Sequence, residues 1–74
     1  MASKYYYYVT WNDEEPGPGV FPIDEDGKYL FPDDAADLIG QNLKLAREFR
    51  GDWPLGRTIL RFNRKTHEFV GVVK

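Results

Sequence analysis

The run KYYYYVTW at residues 4–11 constrains this chain more than any other segment, because nearly all of its residues are aromatic or β-branched. Such residues favour β-strands, and a strand directs successive side chains to opposite faces. One face holds Tyr5, Tyr7, Val9 and Trp11, and the other holds Lys4, Tyr6, Tyr8 and Thr10. Since both faces carry aromatic rings, two interpretations stay open: both are core, or Tyr6 and Tyr8 stand exposed as a binding surface.

The size of the chain limits what else it can be. Its 74 residues predict one small domain, residues 1–74, and the chain has no cysteine and a single histidine, His67, without a second metal ligand nearby. No apolar run approaches the roughly 20 residues that cross a bilayer, and no leader sequence is recognisable. We therefore expect a soluble, cytoplasmic monomer without a cofactor or metal.

Charge is unevenly distributed along the chain. Residues 1–37 hold nine acidic and two basic residues, whereas residues 38–74 hold three acidic and eight basic ones. The two halves either neutralise each other on folding, or they form an acidic face for a basic partner and a basic face for nucleic acid.

Two loop-forming stretches follow the first strand. NDEEPGPG at 12–19 predicts a solvated acidic loop, because its prolines and glycines interrupt regular structure. VFPIDEDGKYLF at 20–31 predicts a hairpin around Asp26-Gly27, with Pro22 on an edge strand. The DEDG stretch lacks the later acidic ligands of an EF-hand loop, so it does not predict calcium binding.

A helix is expected next. Pro32 and the acids after it are typical of a helix N-terminus, with Asp33 or Asp34 as the capping residue. Helical spacing then produces an apolar stripe of Ala35, Leu38, Ile39, Leu43, Leu45, Ala46 and Phe49. Asn42 interrupts this stripe, and we expect its side chain to bond to the backbone. Gly51 favours an end of the helix at that point.

The last part of the chain predicts a second hairpin. TILRFN at 58–63 and HEFVGVV at 67–73 are rich in strand-forming residues and are joined by residues 64–66. His67 falls where such loops often need a positive φ, which histidine tolerates. The element order predicts an α+β domain, in which the N-terminal strand and two hairpins form an antiparallel sheet with one helix packed on it.

GDWPLGRT at 51–58 has the spacing of a phosphate-binding loop, with Arg57 in place of lysine. A true phosphate loop leads from a strand into a helix, whereas this stretch leads from a helix into a strand. Pro54 also lacks an amide, and Asp52 would repel a phosphate. The sequence therefore does not predict nucleotide binding.

Catalysis is not expected either. The acidic residues are explained by solvated loops and helix capping rather than by a catalytic pair of carboxylates. A cysteine nucleophile is impossible, and the only serine, Ser3, lies near a terminus that we expect to fray. The predicted function is protein binding, through a site composed of Lys4, Tyr6, Tyr8, Asp13, Glu14 and Glu15. The alternative is a single-stranded nucleic-acid-binding domain that uses Arg57, Arg61, Arg64 and Lys65, with tyrosines stacking on bases.

In its general character, with the KYYYYVTW start, the acidic NDEEPG loop and no cysteine, the chain resembles the small phage-encoded proteins that bind host RNA polymerase. The resemblance implies a non-catalytic regulator that docks on a bacterial RNA polymerase subunit and changes termination (antitermination) or initiation. A phage inhibitor of another host complex is the alternative within this class.

Overall fold

The structure, a computed structural model, describes residues 4–10, 17–34, 41–51 and 58–73. Within these ranges the elements are strand β1 (Tyr5–Thr10), a 3-10 turn (Pro32–Asp34), helix α1 (Leu43–Arg50), strand β2 (Thr58–Asn63) and strand β3 (Phe69–Val73). The strands form one antiparallel sheet, and α1 packs against β1 and β2. The predicted α+β class is confirmed.

The sheet has the order β1-β2-β3, which places β2 in the centre. Between β1 and β2, Tyr6 lies opposite Phe62 and Tyr8 opposite Leu60. The pairing of β2 with β3 is irregular, since Arg61 pairs with Gly71 but Phe62 pairs with Phe69. Val70 is therefore an extra residue in β3, as in a β-bulge.

Both faces of the sheet are covered, so the domain has three layers. Helix α1 covers one face, where the buried residues are Tyr7, Val9, Ala46 and Ile59. Residues 17–34, which we call the covering segment, pack on the other face, where the buried residues are Tyr6, Ile23, Tyr29, Leu60 and Phe62. A strand between two such layers buries rings on both sides, which explains the four consecutive tyrosines.

The covering segment turns at Asp26-Gly27 as predicted. The Asp24 amide donates to the Lys28 carbonyl at 2.8 Å, the Asp24 side chain accepts from the Lys28 amide at 2.8 Å, and Gly27 has φ of 80°. The two arms meet at only one bridge, between Ile23 and Tyr29, so this predicted hairpin adds no full strands to the sheet. Pro22 has no amide to donate, and the Ile23 amide is used in a turn to Val20 at 2.7 Å.

Helix α1 begins later than predicted. Its N-cap is Asn42, whose Oδ1 accepts from the Leu45 amide at 2.9 Å, so the prediction of Asp33 or Asp34 as its cap is wrong. Asparagine caps a helix as well as aspartate does, and Leu43 and Ala46 reach the sheet from a start at this point. The expected backbone bond of Asn42 is confirmed, and residues 35–40 of the predicted stripe lie outside the described residues.

The C-terminal end of α1 and the turn of the second hairpin lie where the sequence predicts them. Gly51 follows α1 with φ of 63°, and its amide donates to the Arg47 carbonyl at 3.0 Å. His67 has φ of 64°, as predicted for the turn between β2 and β3. Because α1 ends before Gly51 and β2 starts at Thr58, the helix-to-strand order that excludes a phosphate loop is confirmed, although residues 52–57 lie outside the described residues.

Candidate functional site

Two neighbouring phenylalanine rings form an exposed apolar surface on the covering segment. Phe21 is 55% exposed and Phe31 is 42% exposed, and their ring centroids lie 5.4 Å apart. Phe21 also contacts the half-buried ring of Tyr8 at 6.3 Å in an edge-to-face arrangement. We call Tyr8, Phe21 and Phe31 the aromatic patch. Exposed, contiguous aromatic surface of this kind is typical of an interaction site.

The hairpin of the covering segment holds the two rings side by side. Phe21 lies two residues before Ile23, and Phe31 lies two residues after Tyr29. The two rings therefore sit at corresponding positions on the two arms, both on the side of the Ile23–Tyr29 bridge that is away from the turn. The Leu30 amide donates to the Pro22 carbonyl at 2.7 Å, which joins the arms between the bridge and the rings. Ile23 and Tyr29 are buried in the core, so the patch stands on a firmly anchored hairpin.

The contacts of the patch reach into the core. Tyr8 contacts Tyr29 with centroids 5.8 Å apart, and Phe31 contacts the same ring at 6.0 Å. Burial raises the pKa of Tyr8 above its ordinary value, because the ionised phenol would lose hydration. Tyr8 is therefore a neutral hydroxyl at the edge of an apolar surface, which is a combination that suits protein interfaces.

The segment that carries the patch is strongly acidic. It contains Lys28 and five acidic residues: Asp24, Glu25, Asp26, Asp33 and Asp34. Asp33 is exposed and follows Phe31 by two residues, and Glu25 and Asp26 are exposed at the turn. This charge favours the approach of a positively charged surface.

The residues predicted for protein binding are not brought together as expected. Tyr6 is only 1% exposed, so of the two interpretations that the sequence left open the exposed one is wrong for Tyr6, and this residue is not available as a binding residue. Its ring stacks on Phe62 at 5.6 Å and meets Tyr29 at 5.8 Å, because the covering segment closes this face of β1. Tyr8 takes part in the patch, and Lys4 is exposed before β1. The predicted site residues Asp13, Glu14 and Glu15 lie outside the described residues.

The hydroxyl of Tyr6 is also occupied inside the protein. It lies 2.8 Å from His67 Nδ1 and forms a hydrogen bond with it. Burial raises the pKa of Tyr6 to about 12, against a smaller opposing influence of the positive charge of Arg64. Tyr6 is thus a neutral core residue that connects β1 to the turn before β3.

The basic residues of the alternative hypothesis are largely engaged in internal contacts. The guanidinium of Arg61 lies over the rings of Tyr5 and Tyr7, with its carbon 5.1 and 5.5 Å from their centroids. Arg64 donates to the side chain of Gln41 at 3.0 Å and to the carbonyl of Tyr5 at 3.1 Å. Lys65 is exposed, and Arg57 lies outside the described residues.

Sequence reasoning missed the surface role of Phe21 and Phe31. The signal was present in the hairpin register, because a turn at Asp26-Gly27 with Ile23 opposite Tyr29 puts Phe21 opposite Phe31. Alternation alone would have buried both rings with Ile23 and Tyr29, and only the position of the hairpin on the sheet leaves them exposed.

Other kinds of site find no support in the described part of the chain. No group of three or more His, Cys, Asp or Glu side chains there could hold a metal ion. Among the same residues, no helix has the length and apolar character needed to span a membrane. Comparisons of the chain with protein-family models, curated proteins and solved structures found no match.

Proposed function

We propose that this protein is a non-catalytic regulator that binds another protein through the aromatic patch. The observation that carries the proposal is the pair of exposed rings, Phe21 at 55% and Phe31 at 42% exposure, held 5.4 Å apart on an anchored hairpin. Exposed apolar patches mark interaction sites, and aromatic side chains, phenylalanine included, are enriched at protein interfaces.

The rigidity of the patch supports this function. The rings of Tyr8 and Phe31 contact Tyr29, which is 3% exposed, and Phe21 contacts both of these rings. The bonds between the hairpin arms also limit the movement of the patch. A surface already held in its binding geometry loses less conformational entropy when a partner docks. Burial of both rings then contributes apolar contact at a small entropic cost.

The charge of the covering segment indicates what kind of surface the partner presents. Acids surround the turn and follow Phe31, whereas Lys28 is the one base among residues 17–34. We infer a partner surface with an apolar pocket for the rings and basic residues around it. Complementary charge would raise the association rate, and the increase would weaken at high salt.

Within this class, the partner that we propose is bacterial RNA polymerase, with an effect on transcription termination or initiation in the cytoplasm. The support is the resemblance to phage-encoded polymerase-binding proteins in the KYYYYVTW start, the NDEEPG loop and the absence of cysteine. The acidic residues around the aromatic patch are compatible with a basic docking surface on such a complex.

The test is binding of the purified protein to purified bacterial RNA polymerase, measured by biolayer interferometry. The Phe21→Ser/Phe31→Ser variant should weaken binding by more than about 2 kcal/mol, or roughly 30-fold, as expected for anchor residues. Phe49→Ser is the matched control, since Phe49 is also 55% exposed but lies on α1, on the other side of the sheet. Circular dichroism should show both variants folded.

The outcomes distinguish protein binding through the aromatic patch from nucleic-acid binding. Equal binding by both variants would refute the patch as the docking site, and no binding of the unmutated protein would refute the polymerase as partner. A nuclease-treated pull-down from a bacterial lysate then tests other complexes with the same variants. Recovery of nucleic acid that is lost at higher salt and on Lys65→Glu substitution would favour the nucleic-acid alternative instead.

A further inference from the structure

Arg61 lies on the α1 side of the sheet and has hydrogen-bond donors without acceptors. It is opposite Tyr7 of β1 and opposite Gly71 of β3, and residues that face each other across antiparallel strands point to the same side. Its Nε is buried and has no hydrogen-bond partner. Among the described residues, none accepts a hydrogen bond from its other nitrogens and no carboxylate forms an ion pair with it. A buried donor without an acceptor is rare in folded proteins, which makes this side chain a candidate for binding a ligand.

Two tyrosine rings hold the guanidinium without using its donors. Its carbon lies 5.1 Å from the ring centroid of Tyr5 and 5.5 Å from that of Tyr7. Such a contact engages the positive charge, whereas the N–H groups lie in the plane of the guanidinium and stay available as donors. Tyr7 is only 4% exposed and Tyr5 packs on the same buried cluster, so both rings are fixed in position. The charge of Arg61 is therefore held in place before any ligand binds.

The sheet next to Arg61 is open on the side of β3. Among the described elements, α1 lies over β1 and β2 and does not approach β3. A Cβ at the position of Gly71 would meet nothing within 4 Å. Glycine inside a strand often marks a place where a ligand comes close to the backbone. Because Arg61 is the residue directly opposite, the space over Gly71 adjoins its side chain.

From this geometry we infer a binding site for a carboxylate group at the guanidinium of Arg61, with the space over Gly71 to receive it. The fork of a guanidinium matches the two oxygens of a carboxylate, which accept parallel N–H bonds. The neighbouring Arg64 already donates to the carbonyl of Tyr5 at 3.1 Å, so the site offers one uncommitted guanidinium. A single positive charge suits a carboxylate better than a phosphate group, which carries nearly two negative charges.

The charge on this side of the domain also favours an anionic ligand. Helix α1 contributes Lys44, Arg47 and Arg50 against a single acid, Glu48. The acidic covering segment packs on the opposite face of the sheet. A surface of one sign raises the local concentration of ions of the other sign. The carboxylate site therefore differs from the aromatic patch both in position and in the charge of what it binds.

The experiment is a titration of the isotope-labelled protein with sodium acetate at constant ionic strength, followed by NMR. The Nε–H resonance of Arg61 and the amide resonance of Gly71 should shift along a saturable curve. The expected dissociation constant is roughly 1–20 mM, as for a single charged contact near a surface. Sodium chloride is the control salt, and it should produce no saturable shift.

A second titration uses a capped peptide with one glutamate and distinguishes two sources of the carboxylate. Tighter binding of the peptide than of acetate would assign the site to acidic side chains of another protein. Equal or weaker binding would assign it to free carboxylic acids. Inorganic phosphate is the third probe, and tighter binding of phosphate than of either carboxylate would overturn the assignment.

Two substitutions test the site itself. Gly71→Val fills the space with a residue that strands favour, so the variant should fold and should weaken acetate binding at least tenfold. Arg61→Gln removes the charge and should abolish the saturable shift of Gly71, and Gly71→Val decides the matter if this variant does not fold. Arg47→Gln is the matched control, because it removes the same charge from an exposed position on α1. It should change the dissociation constant less than twofold, since exposed charges at a distance are screened by salt.

Unchanged acetate binding in the folded Gly71→Val variant would overturn the proposal, and so would shifts that do not saturate in the unmutated protein. An Arg47→Gln variant that loses as much binding as Arg61→Gln would also overturn it, because general charge would then explain the effect. The Phe21→Ser/Phe31→Ser variant should bind acetate normally, since the aromatic patch lies on the other face of the sheet. Failure of the carboxylate site is thus distinguishable from failure of docking through the patch.

Discussion

The hydroxyl of Tyr6 lies 2.8 Å from Nδ1 of His67, and this contact joins the first strand to the turn that precedes the last. The carbonyl of His67 also accepts from the Tyr29 amide at 2.7 Å, so the same residue holds the covering segment. His67 makes both contacts from a backbone conformation with φ of 64°. The single histidine is thus a structural junction of β1, the second hairpin and the segment that carries the aromatic patch.

Removal of the Tyr6 hydroxyl tests this junction and has a defined pH signature. Tyr6→Phe should lower the free energy of unfolding by about 1 kcal/mol at neutral pH, because one internal hydrogen bond is lost and His67 Nδ1 loses its partner. The measurement is urea denaturation followed by circular dichroism. Tyr5→Phe, which alters a half-buried ring on the other face, serves as the comparison.

The dependence of the free energy of unfolding on alkaline pH separates the ionisation of Tyr6 from that of other groups. Its pKa of about 12 in the folded protein exceeds the ordinary value of 10.0, so the unfolded chain loses this proton first. The resulting stability is complete below pH 10 and is lost as the pH rises from 10 towards 12. The decline should be shallower in Tyr6→Phe, because this ionisation is removed while the raised pKa of Tyr8 is present in both proteins. Identical slopes would contradict our assignment.

Substitution of His67 tests the positive φ. His67→Gly should cost about 1 kcal/mol, because it removes the bond to Tyr6 but adopts the backbone conformation without strain. His67→Val should cost a further 1–3 kcal/mol or so, since a β-branched residue is strained at this φ. Thermal melts decide the order, and a valine variant as stable as the glycine variant would show that the turn does not require this conformation.

Substitution of Asn42 tests where the helix begins. Asn42→Ala should lower stability by about 1 kcal/mol, because the Leu45 amide loses the acceptor that now lies 2.9 Å away. Asn42→Asp keeps an acceptor and adds a negative charge at the positive end of the helix dipole, so its stability should equal or exceed that of the unmutated protein. Chemical denaturation of the pair provides the measurement, and equal losses in both variants would argue against capping by Asn42.

Much of the local structure could be predicted from neighbouring residues alone. The β-branched and aromatic run of β1, the turn at Asp26-Gly27, the positive φ of His67 and the end of α1 at Gly51 each depend on a few adjacent residues. Conformational preferences of the backbone act over this range, so a single sequence is enough to find them.

The start of α1 depended on more than local preference. Both Asp33 and Asn42 can cap a helix, and each precedes residues with helical spacing. The contact of Leu43 and Ala46 with the buried face of the sheet selects a start at Asn42 for α1. That contact joins residues far apart along the chain, and no local signal reports its strength.

The same distinction applies to the candidate site. Alternation along KYYYYVTW separates Tyr6 and Tyr8 from Tyr5 and Tyr7, and this much the sequence alone determined. That the Tyr6 face is covered as well as the Tyr7 face was decided by the tertiary structure, because residues 17–34 fold back over Tyr6 while leaving Phe21 and Phe31 at the surface. Burial depends on what packs against a residue in space, whereas periodicity records only the direction in which its side chain points.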